Sequence, residues 1–211
     1  VTGASSGIGR AFAIRLAEIG YDLLLTGRRR DALEGTAVRC EGVRVELFLG
    51  DLQDAGVRRR LLERVSGLER IGFIVNNAGF GTPARFMAMD VGLVDGMIDV
   101  MTKLMAEICR VGAERMDGRG WIVNVGSIAG LFRTPQNPIY SSTKAFVNTF
   151  SENLQHHLKD RGIRVQALCP GFTYTDFHSR EGFEDFRRDS VPAVLWMEPD
   201  EVVESCLRWL R

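Results

Sequence analysis

The sequence predicts a single α/β domain built on a doubly wound parallel sheet with helices on both faces. Three observations predict it. Short apolar runs alternate with segments of helical periodicity along all 211 residues, as right-handed crossovers between parallel strands require. Residues 71–75 are apolar throughout, as a strand covered on both faces should be. The chain also opens on a glycine-rich turn, Thr2-Gly3-Ala4-Ser5-Ser6-Gly7-Ile8-Gly9, set between a strand end and a helix. The length suits one sizeable core, and no linker, repeat or low-complexity tract divides it, so residues 1–211 are expected to form one domain.

Composition narrows the function classes. Lys plus Arg and Asp plus Glu both number 27, which gives no electrostatic case for nucleic acid or an anionic membrane as partner. No stretch approaches the roughly eighteen apolar residues of a membrane span, and a soluble, cytoplasmic protein is the expectation. Cys40, Cys109, Cys169 and Cys206 are scattered, and His156, His157 and His178 make no metal-ligand spacing with them, so no metal is expected. With no initiator Met, and only the end of a first strand before the glycine turn, the native chain is expected to extend beyond both ends of this sequence.

The glycine turn leads into a helix over residues 10–19, where Ala11, Phe12, Ile14, Leu16 and Ala17 recur at helical spacing. Glycine lets the backbone pass close to a pyrophosphate, and the helix N-terminus offers it free N–H groups and a positive dipole end. Strand before and helix after are the context that separates such a turn from an ordinary loop. Gly3, Ser5, Ser6, Gly7, Ile8 and Gly9 are therefore candidate cofactor contacts.

Residues 21–26 read as the next strand, followed by Gly27-Arg28-Arg29-Arg30 and a helix over 31–38. In a dinucleotide fold this strand end meets the adenosine ribose, where an acidic residue favours a free 2′-hydroxyl and arginine a 2′-phosphate. Glycine stands at the acidic position and arginines follow, so NADP(H) is expected over NAD(H), with Arg28 and Arg29 at the phosphate. The alternative is three solvated arginines starting a helix. A third strand, 43–49, ends on Asp51 and Leu52; Asp51 either accepts a hydrogen bond from the adenine amino group or caps the helix over 55–65.

The strand at 71–75 runs into Asn76-Asn77-Ala78-Gly79, small and amide-bearing residues suited to a turn beneath a cofactor. Residues 91–116 show one long helical pattern rich in Met and Leu, possible as a single bent helix. The fifth strand is 121–125, the sixth 165–169, and a long helix over 139–158 lies between them. Tyr140 and Lys144 are four apart on that helix and share a face. A positive charge beside a phenol favours phenolate, lowering a tyrosine pKa that is otherwise about 10. Ser127, just past the fifth strand, would join them in holding and protonating a carbonyl oxygen if the fold brings it there. Residues 172–195 mix aromatics and charges (Phe177, His178, Arg180, Phe183, Phe186, Arg187, Arg188) and read as a substrate loop. With Phe80 and Phe132 they suggest a partly apolar pocket. A last helix covers 198–210.

In combination these residues resemble the short-chain dehydrogenase/reductase family, in its shorter-chained branch, over essentially the whole chain. The Thr-Gly-x-x-x-Gly-x-Gly turn stands at Thr2, Gly3, Gly7 and Gly9, and Asn-Asn-Ala-Gly at Asn76 to Gly79. Tyr-x-x-x-Lys with its upstream serine stands at Tyr140, Lys144 and Ser127, and Pro170-Gly171 with Thr173 and Thr175 is similar to the segment after strand six. The resemblance implies a Rossmann-like fold and hydride transfer between NADP(H) and a carbonyl or secondary alcohol. It implies Tyr140 as general acid/base, Lys144 as the holder of the nicotinamide ribose that also depresses the tyrosine pKa, and Ser127 on the substrate oxygen. It adds Asn77, Ala78, Gly79, Pro170, Gly171, Thr173 and Thr175 to the cofactor contacts.

One departure bears on catalysis. Many family members place an asparagine in the helix before strand five to support a proton path to the lysine, whereas Met101 stands at the aligned position here and no asparagine lies between Asn77 and Asn124. This raises the alternative of an NADP(H)-binding protein with little catalysis; an epimerase or dehydratase holding NAD tightly is a second. The family also pairs the two long helices flanking strand five into a dimer interface. Met101, Leu104, Met105, Ile108, Phe146, Phe150 and Leu154 have spacings compatible with that or with ordinary core, and a homodimer or homotetramer is expected.

Overall fold

The computed structural model describes residues 1–82, 84–132, 137–179 and 187–209. In chain order, α1 (Gly7–Glu18), β1 (Leu23–Gly27), α2 (Arg30–Ala37), β2 (Val45–Leu49), α3 (Ala55–Ser66) and β3 (Phe73–Asn76) form the first half. The second half holds α4 (Val91–Ile98), α5 (Met105–Ala113), β4 (Gly120–Val125), α6 (Pro138–Leu158) and β5 (Ile163–Leu168). It closes with the two-residue strands β6 (Phe172–Thr173) and β7 (Trp196–Met197) and then α7 (Pro199–Trp209).

Every strand pairing is parallel, β1 with β2 and β3 with β4 with β5. Residues 1–4 join the two groups: Thr2 N donates to Val75 O at 2.9 Å, Thr26 N to Val1 O at 3.0 Å and Ala4 N to Thr26 O at 2.9 Å. The glycine turn thus leaves the middle of the sheet between β1 and β3, where the strand order reverses. Ligands bind open α/β sheets in the crevice at that point, outside the carboxyl ends of the strands.

Ile122 and Val123, neighbours on β4, are both fully buried, one in each of two apolar clusters. Successive strand residues point to opposite faces, so β4 is covered on both, as its apolar run requires. One cluster packs Phe12 and Leu16 of α1 against Val203 and Cys206 of α7; the other packs Leu61 of α3 and Ile108 of α5 against the opposite face. No described helix is long and apolar enough to cross a membrane.

The structure refines one expectation and decides between alternatives in two others. The long bent helix over 91–116 is α4 and α5 joined without a break by a π-helical segment, Asp99–Leu104, and it ends at Ala113; a π-bulge is one of the few devices that bend a helix locally. Asp51 does not cap the third helix: Asp54 does, accepting from Val57 N at 2.8 Å, while Asp51 accepts from Gln53 N at 3.0 Å. Met101, Leu104, Met105 and Ile108 belong to the protein's own core rather than to an interface face; Phe146 is exposed and stacks on Phe150 at 5.7 Å.

Candidate active site

The site is assembled from the ends of β3, β4 and β5 and the first turns of α1 and α6. Helix α6 starts where the sequence Asn137-Pro138 dictates. Asn137 Oδ1 accepts from Tyr140 N at 3.4 Å and Pro138 occupies the first turn, where its missing N–H costs nothing. Asn137 Nδ2 also donates to Thr82 O at 2.7 Å, fixing that end of the helix against the segment after β3. Tyr140 and Lys144 therefore enter the site from a pinned helix start.

Ser127 follows β4 and is 9% exposed; its Oγ accepts from Ala129 N at 3.1 Å and its carbonyl accepts from Asn148 Nδ2 at 3.3 Å. Ser127 and Tyr140 line the same cleft. Lys144 is 5% exposed, donates to Val125 O at 2.7 Å and lies 5.7 Å from the centre of the Tyr140 ring. Phe177 packs on the other side of that ring at 5.6 Å. The serine, tyrosine and lysine named from the sequence are thus brought together.

The electrostatics run opposite to the expectation that lysine lowers the tyrosine pKa. Burial pushes Tyr140 up to about 12, with the nearby Ser127 hydroxyl opposing it, and draws Lys144 down to about 8. Both shifts have the same physical cause, since a site shielded from water disfavours whichever form is charged. Lys144 Nζ spends one of its hydrogen bonds on the Val125 carbonyl.

These residues line a cleft of about 360 Å³ together with Gly3, Ser6, Gly7, Ile8, Asn77, Pro170, Gly171, Thr173 and Thr175. Ala78, Gly79, Gly3 and Ser6 also line a second cavity of about 790 Å³, which holds Ser5, Arg28, Arg29, Asp51 and Leu52. Gly9 lines neither. A side chain at Gly9 would collide with Gly3 O and the Asn77 amide, so its contribution is to let the turn fold tightly. Gly3 and Gly7 have positive φ, +66° and +55°, which only glycine adopts at no cost. Asn77 ties the turn to β3, its Nδ2 donating to Thr2 O at 3.0 Å and Gly3 O at 3.1 Å.

The donor set fits an anionic dinucleotide. Ser6, at the N-cap of α1, makes no side-chain hydrogen bond to the helix, which leaves the first-turn N–H groups to an anion. At the far end, Arg28 and Arg29 stand within 3.6 Å of Asp51 and 3.3 Å of Asp176 respectively. Met101, 2% exposed in the π-helical segment, packs beside Gly79 and lines a small cavity with Lys144.

Sequence reasoning missed Asn137 and Asn148. The Asn-Pro pair ahead of the helix was a legible cap signal; Asn148 acts across a chain distance that periodicity does not report. Phe177, expected in the substrate loop, does line the cleft. Phe132 lines the smaller cleft as expected, but Phe80 lines the larger cavity. Arg180, Phe183 and Phe186 of the expected substrate loop lie outside the described residues.

The pattern of a family described as short chain dehydrogenase matches residues 1–184. The chain is 34% identical over 189 residues to sulfoacetaldehyde reductase 2 of Chromohalobacter salexigens, covering 84% of this chain and 73% of that one. It is 35% identical over 184 residues to very-long-chain 3-oxoacyl-CoA reductase-A of Danio rerio, covering 83% of this chain but spanning only 57% of the relative's length. The solved structure of a short-chain dehydrogenase from Sphingobium yanoikuyae in complex with NADPH superimposes with a TM-score of 0.89 at 34% identity, over 98% of this chain and 81% of that one.

Proposed function

The chain belongs to the short-chain dehydrogenase/reductase family, and from that premise we propose that it transfers a hydride between NADP(H) and a carbonyl or secondary alcohol. The observation that carries this reading is the convergence of Ser127, Tyr140 and Lys144 on one cleft that the glycine turn also lines. Bound nicotinamide supplies or takes the hydride; the rest is done by the protein. Ser127 donates a hydrogen bond to the substrate oxygen. Tyr140, whose raised pKa keeps it protonated at neutral pH, gives its phenolic proton to the same oxygen during reduction. Lys144 holds the nicotinamide ribose with the N–H groups that Val125 leaves free.

The cleft is more apolar than polar along Ile128, Phe132, Phe172 and Phe177, which favours a substrate with a hydrophobic flank beside its carbonyl. Arg28 and Arg29 support NADP(H) over NAD(H). They carry the charge a 2′-phosphate needs, at the strand end where it would sit. The same reading makes residues 1–211 one domain with 172–195 as the substrate loop, and a homodimer or homotetramer using the exposed Phe146 face; light scattering that returns a monomeric mass overturns that assembly. Met101 beside Lys144 favours a second reading, a protein that binds NADP(H) with little turnover. The deciding experiment follows loss of NADPH absorbance across a panel of aldehydes and ketones, with a binding titration alongside. Turnover that disappears in Tyr140→Phe supports reduction, and tight NADPH binding with no turnover on any carbonyl supports the second reading.

A further inference from the structure

Asn76 stands at the end of β3, in register with Asn124 of β4, and both side chains are buried. Their hydrogen bonds run in one fixed direction. The Ser151 hydroxyl donates to Val147 O at 2.7 Å, so its oxygen is left to accept from Asn124 Nδ2 at 2.9 Å. Asn124 Oδ1 in turn accepts from Asn76 Nδ2 at 2.8 Å. Turning over either amide alone would set two oxygens or two N–H groups against each other. The chain therefore ends on Asn76 Oδ1, which among the described residues is the buried side-chain oxygen or nitrogen without a hydrogen-bond partner. A buried acceptor is costly to leave unmet, and an internal water is the usual remedy where there is room and a second polar partner.

Both are present. Asn76 lines a small cavity of about 10 Å³, the size of a single water position. Its other polar walls are Thr2 and Lys144. The Thr2 hydroxyl is already engaged, donating to Val75 O at 3.4 Å and accepting from Asn77 N and Ala78 N, each at 3.0 Å. Lys144 lines this cavity and the catalytic cleft alike, as does Val125, whose carbonyl its ammonium meets. An ammonium has three N–H groups, and Val125 O takes one.

We propose that one water molecule binds between Asn76 Oδ1 and Lys144 Nζ. It takes the second N–H and so turns the third into the cleft, which makes Asn76 a positioning residue acting through Lys144. The support comes from the sheet side of the lysine, through an amide chain anchored on α6, and involves no movement of protons. The work done by the third N–H, holding the nicotinamide ribose, rests on the function proposed above; the water site does not.

A crystal structure at a resolution that shows ordered waters tests the site directly. One density peak within hydrogen-bond distance of both Asn76 Oδ1 and Lys144 Nζ is expected; an empty cavity, or a peak that touches Asn76 but not Lys144, overturns the proposal. The positioning role is tested with Val147→Ile, which adds a methylene at the cavity wall and removes no polar group, with Val100→Ile as the second variant should the first fold poorly. With the water displaced, kcat for NADPH-dependent reduction falls roughly tenfold, the loss expected for one hydrogen bond to a charged group. The alkaline limb of kcat/KM also moves to lower pH, because the ammonium has lost an acceptor that favours it. A variant whose density shows no water but whose kcat and pH profile match the wild type overturns the role. If the wild type reduces no carbonyl, the proposed function fails while the density still decides the water site.

Discussion

At the Tyr140 end of the cleft, Ser127 and Lys144 keep only 9% and 5% of their surface exposed, and the Ser127 hydroxyl and the Lys144 ammonium are each tied to the backbone. At the other end, the side chains of Arg28 and Arg29 are 56% and 66% exposed and share long ion pairs with carboxylates that are themselves about half exposed. The first region holds its groups in one arrangement by excluding water, and it shifts their proton affinities in doing so. The second keeps its charges in water, where they attract an anion at little desolvation cost and where any one pair contributes little. Geometry should therefore govern rate at the tyrosine end, and charge should govern affinity at the arginine end.

The largest effect that could break this contrast is at the phenol. Tyr140→Phe should lower kcat by roughly 10²- to 10⁴-fold while leaving NADPH affinity and the melting temperature close to wild type; near-normal turnover would mean that the proton comes from elsewhere. Next is the double variant Arg28→Ala/Arg29→Ala. Loss of two charge-assisted contacts should weaken NADPH binding by about tenfold or more, leave NADH binding unchanged, and flatten the salt dependence of NADPH affinity. Equal affinity for NADH and NADPH in the wild type would remove the basis for the comparison.

A smaller and more diagnostic effect is in pH. Lys144 has its folded pKa drawn down to about 8, so kcat/KM for reduction should fall as pH rises through about 8 and the ammonium is lost. The sign for stability is the reverse. Between about 8 and the ordinary value of 10.5 the unfolded chain keeps a proton that the folded chain has released, so stability rises with pH across that window. Tyr140 acts above it, its contribution being complete below pH 10 and lost toward about 12. The smallest effect belongs to Asp176→Asn, which frees Arg29 from an exposed ion pair. NADPH affinity should rise by less than about fivefold, the range of a surface salt bridge, and titration by fluorescence checks it.

The same contrast explains what was legible in the sequence. The glycine turn, the apolar strands and the Tyr140 to Lys144 spacing are local patterns, each fixed by residues a few positions apart, and their placement follows from strand order. Asp51 and Asp54 are both acidic residues just before a helix, and composition alone does not say which one's backbone falls at the cap. The direction of the tyrosine pKa depends on how deeply the site is buried, a property of the packed whole. The unmet oxygen of Asn76 depends on a chain running through Asn124 and Ser151 to a carbonyl on α6, residues far apart in sequence. Phe80 and Phe132 look alike in sequence, yet they line different cavities.

The π-helical segment between α4 and α5 also acts as a register offset. A bulge of this kind carries one residue more than regular winding needs while the turns on either side stay in phase. Residues counted forward from Val91 and residues counted back from Ala113 therefore disagree by one position across Asp99–Leu104. Met101 falls inside that offset, so its equivalence to any residue of a regularly wound helix is defined by where its side chain lands, beside Gly79 and Lys144, and not by its ordinal place in the chain.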